Sequence, residues 1–209
     1  MRTVLIDYGA GNLHSVERAL EHAGLAIERC AEPADAAGAD ALVLPGQGHF
    51  GQVMSAFRAS GFEPLVRAHL ASGRPFLGIC VGLQLLLEAS EEAPDVPGLG
   101  LLAGTARRFP AAGVSVPHMG WNQIVRHRRP ALLEGIEDGA FVYFAHSYYV
   151  AFDDLDVPGA VTEYGPVTFK SALSDGALHA TQFHPEKSQA VGLRVLANFA
   201  RLAAAALEA

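Results

Sequence analysis

Residues 74–90 read RPFLGICVGLQLLLEAS. An apolar run of strand character, RPFLGIC, meets a cysteine between two glycines, and a segment of helical character, GLQLLLEAS, follows. A buried strand that runs straight into a helix is the repeating unit of a parallel sheet. The preceding chain repeats the alternation. TVLIDYG is strand-like and precedes the helical LHSVERALEHAG, which stops at Gly24. AIERC and ALVLPG read as strands, and FGQVMSAFRASG and EPLVRAHLASG read as helices with glycine stops. Continuous apolar strands alternating with helices imply right-handed crossovers and a parallel sheet covered on both faces.

From about Gly104 to Ser174 the pattern changes. Short strand-like runs, NQIV, AFVYFAHSYYV and PVTFKSAL, are separated by turn signals that include Asp153-Asp154 and Pro158-Gly159. ALHATQFH reads as a last buried strand before a C-terminal helix. The expected fold is therefore α/β. A single open, mostly parallel sheet is flanked by helices, with mixed or antiparallel additions in the second half. Residues 1–209 are expected to form one domain.

The 209 residues are 50% hydrophobic and 18% charged, a composition that packs a core rather than staying disordered. The net charge of −7 and the lack of a basic block argue against nucleic acid as a partner. Arg126, Arg128 and Arg129 read as a solvated loop. Two cysteines make no disulfide framework, which fits a reducing cytoplasm. The apolar run before Asp7 is too short for a secretory leader. The apolar C-terminal segment carries Arg194 and Arg201, so it reads as a helix packed on one face and not as a membrane span.

Cys80 falls at the carboxyl end of a strand, where parallel sheets place their sites. Gly-x-Cys-x-Gly is the thiol form of a nucleophile elbow, a sharp strand-to-helix turn that lifts the reactive atom out of the sheet. Gly78 and Gly82 leave room for neighbouring backbone. The helix N-terminus favours the thiolate, and the Val81 amide is available to an oxyanion. Cys30, in a strand-like run, reads as a buried and inert thiol. A thiolate nucleophile needs a base held by a third group. In QFHPEKS, residues 182–188, Pro185 biases His184 toward extended backbone. Residues i and i+2 then share a side, so Glu186 reaches the imidazole. In LPGQGHF, residues 44–50, the turn at Gln47 and Gly48 offers a second backbone donor to an oxyanion.

These segments resemble the class I glutamine amidotransferases. GICVGLQLL and QFHPEKS carry the resemblance, and DYGAGNLHSV, LPGQGHF, PHMGWNQI and YFAHSYYV extend it over nearly the whole chain. The resemblance implies hydrolysis of L-glutamine to glutamate and ammonia, with no cofactor and no metal. It assigns Cys80 as nucleophile, His184 as general base and acid, and Glu186 as the group that orients His184. It places Gly48, Gln84, Ser147 and Tyr148 near bound glutamine, and Asn12, Trp121 and Lys187 toward a partner. The additional segments point to the branch that serves histidine biosynthesis. There the partner is a separate (β/α)8-barrel cyclase subunit that consumes the ammonia to make imidazole glycerol phosphate and AICAR. One departure is Gln47, where many members carry a small or branched apolar residue; a backbone donor does not depend on that side chain.

The alternative within the family is a glutaminase of another pathway, such as pyridoxal phosphate or guanylate synthesis. HMGWN and HSYY favour the histidine pathway. Gly9-Ala10-Gly11 is only part of a dinucleotide fingerprint, because His14 occupies the third glycine position. His118, His127 and His146 show no metal-ligand spacing. A catalytically inert interaction subunit is disfavoured by the intact Cys, His and Glu.

Overall fold

A computed structural model of the chain describes residues 1–9, 12–151 and 157–208. The first half alternates strand and helix as its sequence predicts. β1 (Thr3–Ile6), α1 (Leu13–His22), β2 (Ile27–Cys30) and β3 (Ala41–Gly46) are followed by α2 (Phe50–Ala59), α3 (Phe62–Ala71), β4 (Phe76–Cys80) and α4 (Val81–Leu85). The second half is mostly strand: β5 (Ala89–Ser90), β6 (Thr105–Arg108), β7 (His118–His127), β8 (Ala140–His146), β9 (Tyr148–Ala151), β10 (Gly159–Tyr164), β11 (Val167–Asp175) and β12 (Leu178–Thr181). α5 (Gln189–Ala205) closes the chain. The Asp153-Asp154 turn signal and Ala10-Gly11 lie outside the described residues.

The main sheet runs β2-β1-β3-β4-β12-β11-β10-β7-β8. Strands β2, β1, β3, β4 and β12 are parallel, and β11, β10, β7 and β8 continue the sheet antiparallel. The expected mixed additions in the second half are therefore present. β5, β6 and β9 form a branch that joins β11 through β9. Helices pack in two groups, α1 with α5, and α2 with α3 and α4. The strands β1, β3 and β4 are buried along their whole length. That is what covering both faces of a parallel sheet demands of a sequence, and it explains the unbroken apolar runs. In α5 the buried stripe is Val195, Leu196, Phe199 and Ala203, with Arg201 exposed and paired to Glu134.

One element departs from its sequence. GLQLLLEAS predicts a helix to residue 90, but α4 ends at Leu85. The carbonyls that would continue it are taken by a later segment: Leu99 N donates to Leu85 O at 2.8 Å, Leu101 N to Leu86 O at 2.8 Å and Gly100 N to Leu87 O at 2.9 Å. Ala89 and Ser90 then pair in parallel with Thr105 and Ala106. Tertiary hydrogen bonds override local helix propensity here.

Candidate active site

The site is assembled at the carboxyl ends of β3, β4 and β12, which are neighbours in the sheet. Register pairs Gly46 with Cys80, and Ile79 with Thr181. The backbone of Cys80 has φ 55 and ψ −110, a left-handed conformation forced on a residue with a side chain. This is the strained elbow expected of Gly-x-Cys-x-Gly. Its glycines are required by contact. A Cβ on Gly82 would lie 2.0 Å from the Leu44 carbonyl oxygen, and one on Gly46 would lie 2.6 Å from the Gly82 nitrogen. The elbow is pressed against the end of β3, and no side chain fits between them. Of the helix expected to follow the elbow, only the short α4 is present.

His184 follows β12 after Gln182 and Phe183. Its amide donates to Tyr143 O at 2.9 Å, and its carbonyl accepts from Ser188 Oγ at 2.7 Å. Ser188 Oγ in turn accepts from Tyr143 N at 2.9 Å, so β8 and one buried serine hold the histidine backbone in place. His184 Nδ1 lies 2.8 Å from Glu186 Oε1, and both side chains are at most 5% exposed. The contact matches the sequence reading, but the chain path differs. Only His184 is extended; Pro185–Lys187 forms a turn of 3-10 helix that swings Glu186 back under the imidazole. Glu186 Oε2 has no hydrogen-bond partner among the described residues. Burial pulls the His184 imidazolium down, but hydrogen bonds and charge interactions with Cys80 and Glu186 prevail, and its pKa is raised to about 10.

A cavity of about 300 Å³ opens beside Cys80. Gln47, Gly48, Val81, Gln84, Ser147 and Tyr148 all line it, so residues that are 101 positions apart along the chain (47 to 148) meet around one sulfur. Glu92 adds a carboxylate to the wall, and its Oε2 also accepts from Phe50 N at 2.6 Å. Gly48 stands at φ 113, closed to L side chains, in the turn beside the elbow. On the far side of the nucleophile a small cleft is lined by Asn12, Gly46, Gln47, His184 and Glu186. Asn12 therefore sits at the rim of the Cys-His-Glu group. Lys187 Nζ lies 5.9 Å from the ring of Tyr143, and Trp121 meets that ring edge-on at 6.0 Å. Trp121 belongs to an exposed apolar strip on β7 and β8 with Met119, Val125 and Phe141.

Cys30 is buried, and burial followed by the charge of Glu28 pushes its thiol up. Arg126 pairs with Asp138 at 2.9 Å, and Arg128 and Arg129 stand exposed beside it. Two histidines with no evident sequence spacing are in fact neighbours: register pairs His118 with His146, and His118 Nδ1 lies 3.2 Å from His146 Nε2. Gln182, inside QFHPEKS but given no role by the sequence reading, places Nε2 at 3.8 Å from Cys80 Sγ. Its place two residues before His184 is the signal that marks it.

The sequence profile of the family described as glutamine amidotransferase class-I matches residues 4–202. The chain belongs to that family. Among the curated class I glutamine amidotransferases it is 56% identical over 199 residues to the imidazole glycerol phosphate synthase subunit HisH of Deinococcus radiodurans, covering 95% of this chain and 92% of that one. It is 46% identical to the protein of the same name from a Synechococcus species, covering 100% and 97%. Among solved structures, that of PurLQS from Thermotoga maritima matches with a TM-score of 0.73 at 19% identity, over 99% of this chain and 98% of that one, and carries the likeness of fold.

Proposed function

We propose that the protein is the glutaminase subunit of an imidazole glycerol phosphate synthase in histidine biosynthesis, and that residues 1–209 act as one glutaminase domain. Buried His184, 2.8 Å from Glu186, together with the Cys80 elbow and its cavity of about 300 Å³, supports the glutaminase chemistry, and the 56% identity to a HisH subunit supports the pathway. Glutamine enters that cavity with its side-chain amide at Cys80. Glu92 is the carboxylate placed to meet its α-ammonium group. Gln84 already donates both N–H bonds, to Tyr148 O and Gln182 Oε1, so it offers the substrate its acceptor oxygen. Gly48, Ser147 and Tyr148 complete the binding wall.

The Cys80 thiolate adds to the amide carbon, and the carbonyl oxygen becomes an oxyanion facing the amide of Val81 and that of Gln47 or Gly48. His184 gives a proton to the leaving nitrogen, ammonia departs, and a thioester remains. His184 then takes a proton from water, the hydroxyl adds to the thioester, and collapse releases glutamate and the thiolate. Glu186 holds the imidazole in orientation through both steps. No cofactor or metal takes part in this sequence.

Ammonia made without an acceptor is lost. The partner is a (β/α)8-barrel cyclase subunit, forming a heterodimer in the cytoplasm, with neither nucleic acid nor membrane involved. It docks at the rim of Asn12, Trp121 and Lys187 and biases the Gly46-Gln47-Gly48 turn toward donating to the oxyanion. One donor is worth roughly a hundredfold in turnover. The test is glutamate release by the subunit alone, with cyclase, and with cyclase plus its nucleotide ligand. Turnover should rise across the three; equal turnover in all three contradicts the coupling, and no release in any contradicts the glutaminase.

A further inference from the structure

The amide nitrogen of Gln182 lies 3.8 Å from Cys80 Sγ, and the mechanism leaves it unused. This side chain is fully buried, and its backbone amide is fixed to Ser171 O at 2.9 Å. Which end of the amide faces the sulfur follows from its neighbours. A backbone carbonyl can only accept, so the Gln84 atom 3.0 Å from Tyr148 O is an NH2 group. The same nitrogen lies 3.1 Å from Gln182, so the Gln182 atom that meets it must accept and is Oε1. The other end, Nε2, is then the one that points at Cys80 Sγ, 3.8 Å away. Flipping Gln182 would set NH2 against NH2 at one end and oxygen against sulfur at the other. The anchor is itself held: Tyr148 O also accepts from His146 Nδ1 at 2.8 Å.

We infer that Gln182 is a further catalytic residue, a hydrogen-bond donor to the reacting sulfur that is locked in that orientation by Gln84 and the Tyr148 carbonyl. The inference rests on Cys80 being the nucleophile. An N–H aimed at sulfur interacts far more strongly with the anion than with the thiol, so it favours the thiolate. It also restricts the sulfur to one rotamer, set between Gln182 and His184. Because Gln84 and Tyr148 line the glutamine cavity, substrate bound against them bears on the sulfur through the same chain of amides.

Gln182→Met keeps the length and apolar bulk but removes the donor. Gln182→Glu keeps the shape and brings a carboxylate oxygen to the sulfur. Both are compared with the wild-type chain for alkylation of Cys80 by iodoacetamide against pH, with peptide mapping to separate Cys30. Glutamate release and thermal melting are measured alongside. The midpoint of Cys80 alkylation should move up by about one pH unit in Gln182→Met, the size of one charge-assisted hydrogen bond, and further in Gln182→Glu. The value of kcat should fall about tenfold or more while KM changes less than about threefold. Gln84→Met, which frees the Gln182 amide, should give a smaller upward shift together with a raised KM. A glutamine that only fills the core would change melting and leave the midpoint where it was. Wild-type midpoints in whichever of the Gln182 variants fold overturn the inference. Absence of glutamate release from the wild-type complex with cyclase overturns the glutaminase reading instead, and the alkylation profiles distinguish the two.

Discussion

In β1, β3 and β4 every residue is buried, whereas in β7 only His118 and Ile124 are. The central parallel strands are covered on both faces, whereas β7, near the antiparallel edge of the sheet, leaves one face open. Cys80 and the Gly46–Gly48 turn follow from the first arrangement, because adjacent strand ends converge at one rim. The exposed Met119, Trp121, Val125 and Phe141 follow from the second. On the proposed reading the chemistry uses the constrained strand ends, and Trp121 on the uncovered strand contributes to the docking rim. His184 is held by both regions: β12 delivers it, and the β8 backbone fixes it.

The division can be broken at its most constrained point. His184→Asn should cut glutamine turnover by about a thousandfold, because both proton transfers pass through the imidazole. Glu186→Gln should cost less, since it orients without transferring a proton. Steady-state glutamate release in complex with cyclase ranks the two, and the reverse order contradicts the assignment of roles.

Gly82→Ala tests whether the elbow is pressed against β3 as closely as the geometry states. A methyl group 2.0 Å from a backbone oxygen cannot be absorbed by side-chain movement. The expected loss is about 3 kcal/mol of stability, the upper range for an overpacked core. Denaturant unfolding measures it, and a wild-type midpoint would contradict the packing.

On the open half, Trp121→Ala should weaken cyclase binding by about thirtyfold with melting unchanged, as for a central aromatic at an interface. Titration calorimetry reads the affinity, and an unaltered Kd would move the docking surface elsewhere.

A further expected effect, spread over both regions, is one of pH. His118 and His146 on the antiparallel side, and His179 on β12, are held neutral by burial, with pKa values lowered to about 4, 3 and 4. The unfolded chain takes up these protons near pH 6.5, so their stabilising contribution is complete above that pH and is lost as pH falls toward 4. Each can contribute a slope of up to about 1.4 kcal/mol per pH unit. His184 has the opposite sign: raised to about 10, its contribution is present below pH 6.5 and lost as pH rises through 10. Unfolding free energies measured at pH 7, 5.5 and 4.5 should fall in that order. A flat profile would mean that these histidines are not held neutral in the fold.

What was legible in the sequence divides along the same line. Unbroken apolar runs ending in glycine identify β1, β3, β4 and their helices, because burial on both faces leaves the sequence no alternative. The candidate Cys80 was marked by its place at the end of such a run, and the candidates His184 and Glu186 by QFHPEKS just after the last buried strand. The true end of α4 could not, since Gly98 to Leu102 return from beyond it to claim its carbonyls. The His118–His146 contact was equally hidden, as strand register and not sequence spacing creates it. Gln182 was visible as a letter in a motif, but its role depends on Gln84 and Tyr148, which only the folded chain brings beside it.

The central claim is that the strained elbow of the parallel half holds the one thiol activated toward glutamine. A glutamine analogue with an electrophilic carbon in place of the side-chain amide tests it most directly, with the modified peptides mapped after partial reaction in the presence of cyclase. The account predicts complete modification at Cys80, which is buried but opens on the cavity, none at Cys30, which lies outside that site, and no labelling or glutamate release in Cys80→Ala. Equal modification of Cys30 and Cys80, or continued glutamine hydrolysis by Cys80→Ala, would contradict it.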